Sequence, residues 1–226
     1  MKNIVLRGTL VFVMGLFVPQ FARSQGTVTY LSSIGPSVTS EAVGSDSWVA
    51  ATFRAGDNAG GYVLDSLQLE MAAASGTPNG FTVQLYGLPA DGLPNPGNSL
   101  ATLSGPTDPT SADVYTFDAS GITLAPDAQY FIVLTAATPV STGLYAWGVE
   151  NPSSNISSGN DWTEGGVMFE SSDGSSWNET YINDPQFALT ASAVPEPDAL
   201  GLLGLSGLLL FVWRYRRAKA QTSIVG

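Results

Sequence analysis

Leu124-Ala-Pro-Asp-Ala-Gln-Tyr-Phe-Ile-Val-Leu134 is the stretch from which the fold is read. Its second half, Tyr130-Phe-Ile-Val-Leu134, is apolar at every position. Successive side chains of a strand point to opposite faces, so such a run belongs at the centre of a sheet covered on both sides. Outward from it, weaker runs recur at Thr27 to Leu31, Ser47 to Ala55, Tyr62 to Met71, Phe81 to Tyr86 and Leu100 to Leu103. Further runs follow at Val114 to Phe117, Gln129 to Ala136, Leu144 to Val149, Val167 to Glu170 and Phe187 to Thr190. Gly, Pro, Asn, Asp and Ser clusters separate them, and no useful window between the chain ends has a 3.6-residue period. About ten short strands at this spacing predict an all-β fold, a jelly-roll-like β-sandwich.

Local signals sharpen the reading. Between Tyr62 and Met71 the alternation is imperfect, and Val63, Asp65, Leu67, Leu69 and Met71 form the set expected to face the core. Phe81, Val83 and Leu85 do the same against Thr82, Gln84 and Tyr86. Asp173-Gly174 reads as a type I′ hairpin turn, and Ala90 to Asn98 as a surface loop. Leu124-x-Pro126 followed four residues later by Tyr130 resembles the tyrosine corner of fibronectin-like sandwiches. That resemblance implies a buried Tyr130 whose hydroxyl bonds the backbone slightly upstream and satisfies a carbonyl.

The two ends of the chain have a different character. Lys2 and Arg7 precede the eleven-residue apolar run Gly8 to Val18, and Ala22-Arg23-Ser24 supplies small residues for cleavage before Gln25. Residues 1–24 therefore read as a secretory signal peptide. At the other end, Pro195-Glu196-Pro197 is followed by the uncharged run Ala199 to Trp213 and by Arg214, Arg216, Arg217 and Lys219. Fifteen helical residues reach about 22 Å against roughly 30 Å of hydrocarbon, a short span that needs snorkelling arginines or local thinning. The basic cluster belongs on the cytoplasmic side. This leaves residues 25–193 as one β-sandwich domain, 194–219 as an anchor segment and 220–226 as a short tail.

That order of parts resembles the PEP-CTERM sorting signal of Gram-negative bacteria, with Pro195, Glu196 and Pro197 as the box and Arg214, Arg216 and Arg217 as the retention cluster. The resemblance implies processing by an exosortase, a membrane protease-transpeptidase. It also implies transient anchoring in the inner membrane through the C-terminal helix, then delivery to the cell surface or extracellular matrix. Gln221 to Gly226 extend past the point where such signals usually stop. The domain itself resembles choice-of-anchor R passengers. The residues that carry this are Gly61-Tyr-Val-Leu-Asp-Ser-Leu-Gln-Leu69, Gly80-Phe-Thr-Val-Gln-Leu-Tyr86, Leu100-Ala-Thr-Leu103, Tyr115 to Pro126 and Tyr145-Ala-Trp147. Those motifs are structural and imply no activity.

Composition narrows the chemistry further. The net charge of −11 understates the domain, where seventeen acidic residues face the single Arg54, a balance near −16. Without a basic patch the phosphate attraction that drives nucleic-acid binding is missing. The chain has no cysteine and no histidine. That removes disulfides, thiolate catalysis, Ser-His-Asp hydrolysis and the commonest ligands for zinc and haem. Paired-carboxylate glycoside hydrolysis survives, but no motif marks a pair, and the expectation is a protein that is not an enzyme. Tyr145, Trp147, Trp162, Trp177 and Tyr181, near Asp161, Glu164 and Asp173, are candidates for stacking on an exopolysaccharide; the alternative is that the tryptophans fill the core. Asp57, Asp161 and Asp184 sit in Asn/Asp pairs that offer oxygen ligands to a structural calcium, or are solvated turn residues; no other cofactor is expected.

Overall fold

A computed structural model of the chain describes residues 26–36, 39–88, 99–150, 157–180, 184–195 and 207–214. In chain order its strands begin with β1 (Val28–Ser32), β2 (Thr39–Val43), β3 (Trp48–Arg54), β4 (Tyr62–Gly76) and β5 (Thr82–Gly87). They continue with β6 (Ser99–Thr102), β7 (Asp113–Leu124), β8 (Gln129–Thr135), β9 (Gly143–Glu150) and β10 (Ser157–Ser158). The last are β11 (Thr163–Ser171), β12 (Asn178–Thr180), β13 (Asp184–Pro185) and β14 (Phe187–Ala193). All ten expected runs form strands. The polar Thr-Ser-Glu-Ala-Val of β2 and the short β10, β12 and β13 had no apolar signal.

Strands β2 to β9 pair antiparallel in two sets, β2-β9-β4-β7 and β3-β8-β5-β6. The chain crosses from one sheet to the other at nearly every connection, and the resulting order is that of an eight-stranded jelly roll. Beside this frame, β14 joins the first sheet next to β4, with β1 and β10 beyond it, and β11 and β12 extend the second sheet past β3. Because β1 runs antiparallel to β14, with Val28 opposite Ala191, the domain starts and ends at the same pole.

Strand β8 lies between β3 and β5, and it is covered as its sequence demands. Tyr130, Ile132 and Leu134 enter the core between the sheets, together with Phe53, Leu67, Leu69, Phe117 and Trp147. Phe131 and Val133 point the other way, into a second cluster with Ala50, Tyr86, Phe169 and Trp177.

Two expectations of detail are corrected. On β4 the buried residues are Tyr62, Leu64, Leu67, Leu69 and Met71, whereas Val63 and Asp65 face away from the core. Against β14, the adjacent Thr190 and Ala191 pair with Ser66 and Leu64, so Asp65 is one extra residue on β4; this bulge resets the period, which is why the alternation in the sequence is imperfect. The Asp65 carboxylate accepts a hydrogen bond from the Ser192 hydroxyl at 2.8 Å. Asp173-Gly174 is not a two-residue hairpin. Glu170 pairs with Asn178, leaving a seven-residue loop in which Asp173 Oδ1 accepts from the Ser175 and Ser176 amides at 2.8 and 2.9 Å. The two-residue turn with positive φ at both centres is at Asn160-Asp161 (φ 52° and 60°), closed by Trp162 N–H donating to Gly159 O.

Tyr130 is buried as expected, with its polarity reversed. Its hydroxyl oxygen accepts from the Ala125 amide at 2.7 Å and so satisfies a backbone donor rather than a carbonyl. The Ala90 to Asn98 loop and residues 1–24 lie outside the described residues.

Candidate sorting site and candidate ligand sites

The chain leaves the sandwich through a closely built exit. β14 is held on one side by β1 and on the other by β4, with Ala193 opposite Tyr62. The next residue, Val194, uses both its main-chain groups. Its N–H donates to Gly61 O at 3.0 Å, and its carbonyl accepts from Asn58 Nδ2 at 2.9 Å. The same Asn58 amide also donates to Gly61 O at 2.6 Å. The turn Asn58–Gly61 is closed by Gly61 N–H donating to Asn58 O at 2.7 Å. Glycine is required at both of its last positions: a Cβ on Gly60 would stand 2.4 Å from Val194 O, and Gly61 has a φ of 74°. Behind the turn, Trp162 lies between Tyr30 and Phe53 and meets the edge of Tyr62. Burial raises the pKa of the Tyr30 phenol, and the nearby Asn160 side chain and Ala193 backbone partly offset the rise. Pro195, one residue past this clamp, is exposed.

Residues 193–217 match the PEP-CTERM protein-sorting motif. The motif thus begins on the last residue of β14, and it implies an exported protein that an exosortase processes and that is sorted through the membrane to the cell surface. A comparison with curated proteins finds no match. Of the sorting residues, Pro195 and Arg214 are described, while Glu196, Pro197, Arg216 and Arg217 lie outside the described residues. Of the apolar run, 207–213 is described and falls in an exposed helix spanning 207–214. Among the described residues no helix is long and apolar enough to cross a membrane.

The aromatic candidates for sugar stacking are not at the surface. Trp147 and Trp162 are 0% exposed and Tyr145 likewise, and Trp177 is 8% exposed. Trp147 Nε1 donates to Gln186 O at 2.9 Å inside the core. The Tyr145 hydroxyl donates to Asp108 Oδ1 at 2.8 Å, and burial together with that carboxylate holds the phenol above its ordinary range. Trp177 packs on the outer face of the second sheet, against Phe131, Val133 and Phe169. These four side chains offer no open ring face. Tyr181 lies outside the described residues. The reason is volume: a sandwich with two aromatic-rich faces consumes its large rings in packing.

The calcium candidates are also dispersed. Asp57 and Asp161 are exposed in neighbouring loops, while Asp184 is half-buried on β13. Among the described residues no group of three acidic side chains is arranged to hold a metal ion.

One carboxylate stands apart from this polar surface. Glu164 sits on β11 opposite Phe53, and both of its carboxyl oxygens are buried without a hydrogen-bond partner among the described residues. Burial, and then the nearby Asp184, push its pKa up to about 8. The backbone beside it is tightly packed, since a Cβ on Gly165 would collide with Thr52 Oγ1 at 1.6 Å. In the sequence Glu164 stands between Thr163 and Gly165-Gly166 and carries no mark of burial. Asn58 is a second residue whose place is not evident from sequence. There it reads as a loop oxygen donor, and only the Gly60-Gly61 pair that follows hints at a close main-chain approach.

Proposed function

We propose that this chain is cargo for an exosortase: an exported protein whose β domain is a structural or adhesive component of a bacterial cell surface or extracellular matrix. The host is a Gram-negative bacterium with an exopolysaccharide-rich envelope, and the domain is of the choice-of-anchor R type. It performs no reaction. The observation that carries the reading is the position of the sorting motif, which starts where the last strand of a closed sandwich ends. A domain with Tyr145, Trp147, Trp162 and Trp177 packed inside suits a packing or scaffolding part better than the carbohydrate-binding alternative, which would need such rings at the surface.

The test is intact-mass analysis of protein released at the surface of the native host, for wild type and Glu196→Ala. The mature wild-type chain is expected to start at about Gln25 and to lack the basic tail. The Glu196→Ala chain is expected to stay membrane-bound. Mature protein that still carries Leu200 to Lys219, with sorting indifferent to Glu196, would refute the reading and leave a plain tethered domain.

A further inference from the structure

We propose that the Asn58–Gly61 turn is a latch on the sorting signal, and that Asn58 is a positioning residue which sets how fast the exosortase can take its substrate. The inference rests on the exosortase reading above and adds a control built into the cargo. A partner that holds a peptide extended grips it through main-chain hydrogen bonds. Val194 has none to give: its N–H and its carbonyl are both committed to the turn. Ala193 is committed too, through its pairing with Tyr62. With the latch closed, the chain that an enzyme can grip begins at Pro195. Any cleft that must engage residues ahead of the Pro-Glu-Pro box therefore waits for Asn58 to let go. The Gly60 contact tightens the same latch sterically, because the main chain of the turn lies against the Val194 carbonyl with no room for a methyl group.

The test measures the rate of tail release in a host that carries the exosortase, by pulse-chase and intact mass. The variants are Asn58→Ala, a four-residue Gly-Ser spacer inserted between Val194 and Pro195, the two combined, and Glu196→Ala. Thermal unfolding of the secreted domain checks that each variant is folded, and the spacer leaves the sandwich and its turn untouched. Asn58→Ala removes both side-chain bonds, of which the one to the Val194 carbonyl holds the exit; losing that bond, at ordinary strength, is expected to raise release roughly two- to tenfold. The spacer is expected to raise it at least as much, and the combined variant to match the spacer alone, because the latch no longer matters once the box has slack. Release of Asn58→Ala or of the spacer variant at the wild-type rate, with Glu196→Ala blocked, would overturn the latch and leave the sorting reading intact. Release of Glu196→Ala at the wild-type rate would overturn both.

Discussion

The buried Glu164 makes stability depend on pH in a direction opposite to that of a carboxylate ion-paired in the folded state. In the unfolded chain this carboxyl ionises at its ordinary 4.5, and in the folded chain near 8. Below pH 4.5 it is protonated in both states and adds no pH dependence. Between 4.5 and 8 the unfolded state has released a proton that the folded state still holds, so rising pH favours unfolding. The loss is about 1.4 kcal/mol per pH unit, on the order of 5 kcal/mol across the whole interval, and it levels off above pH 8. Glu164→Gln keeps the shape of the side chain and cannot ionise. Urea denaturation followed by far-ultraviolet circular dichroism at half-unit steps from pH 5 to 8.5 measures the effect. Wild type is expected to weaken steadily over that range. The variant is expected to be nearly flat and to exceed wild type by several kcal/mol at pH 8.5. Wild-type stability that holds level or rises from pH 5 to 8, or the same slope in both proteins, would refute the argument.

Two further outcomes are expected. Tyr130→Phe leaves the Ala125 amide without its acceptor and should lower the unfolding free energy by about 1 kcal/mol, read from the same denaturation curves. Trp162→Ala removes the ring that Tyr30, Phe53 and Tyr62 pack around, and should cost about 3–5 kcal/mol, while polysaccharide titration should leave wild-type tryptophan fluorescence unquenched.

How much of this was legible in the sequence follows from which signals are local. Alternation is a local signal, so every strand with an apolar face is visible, and Tyr130 to Leu134 betrays its central place because both faces are apolar. β2 is not visible: as a strand that among the described residues pairs β9 alone, it needs no continuous apolar face. β7 runs on past Phe117 to Leu124 through Gly121, whose φ of 87° lets the strand bend where a sequence reading sees a break. The position of the sorting motif is fully legible, since its parts are ordered along the chain. The candidate ligand sites are not. Whether Trp147 or Trp162 faces solvent, and whether Glu164 is covered, depends on which sheet lies opposite. That is decided by pairings between residues more than a hundred positions apart, such as Phe187 with Leu69.

Entry and departure at one pole of the sandwich have a geometric consequence. The loops at the opposite pole, among them Gly44–Ser47, Thr77–Phe81 and Ala136–Gly143, lie at the far end of the sandwich from Val28 and Ala193. A molecule tethered through its C-terminus shows neighbours this crown before anything else. Sequence change there can alter what the protein touches without disturbing how it is delivered.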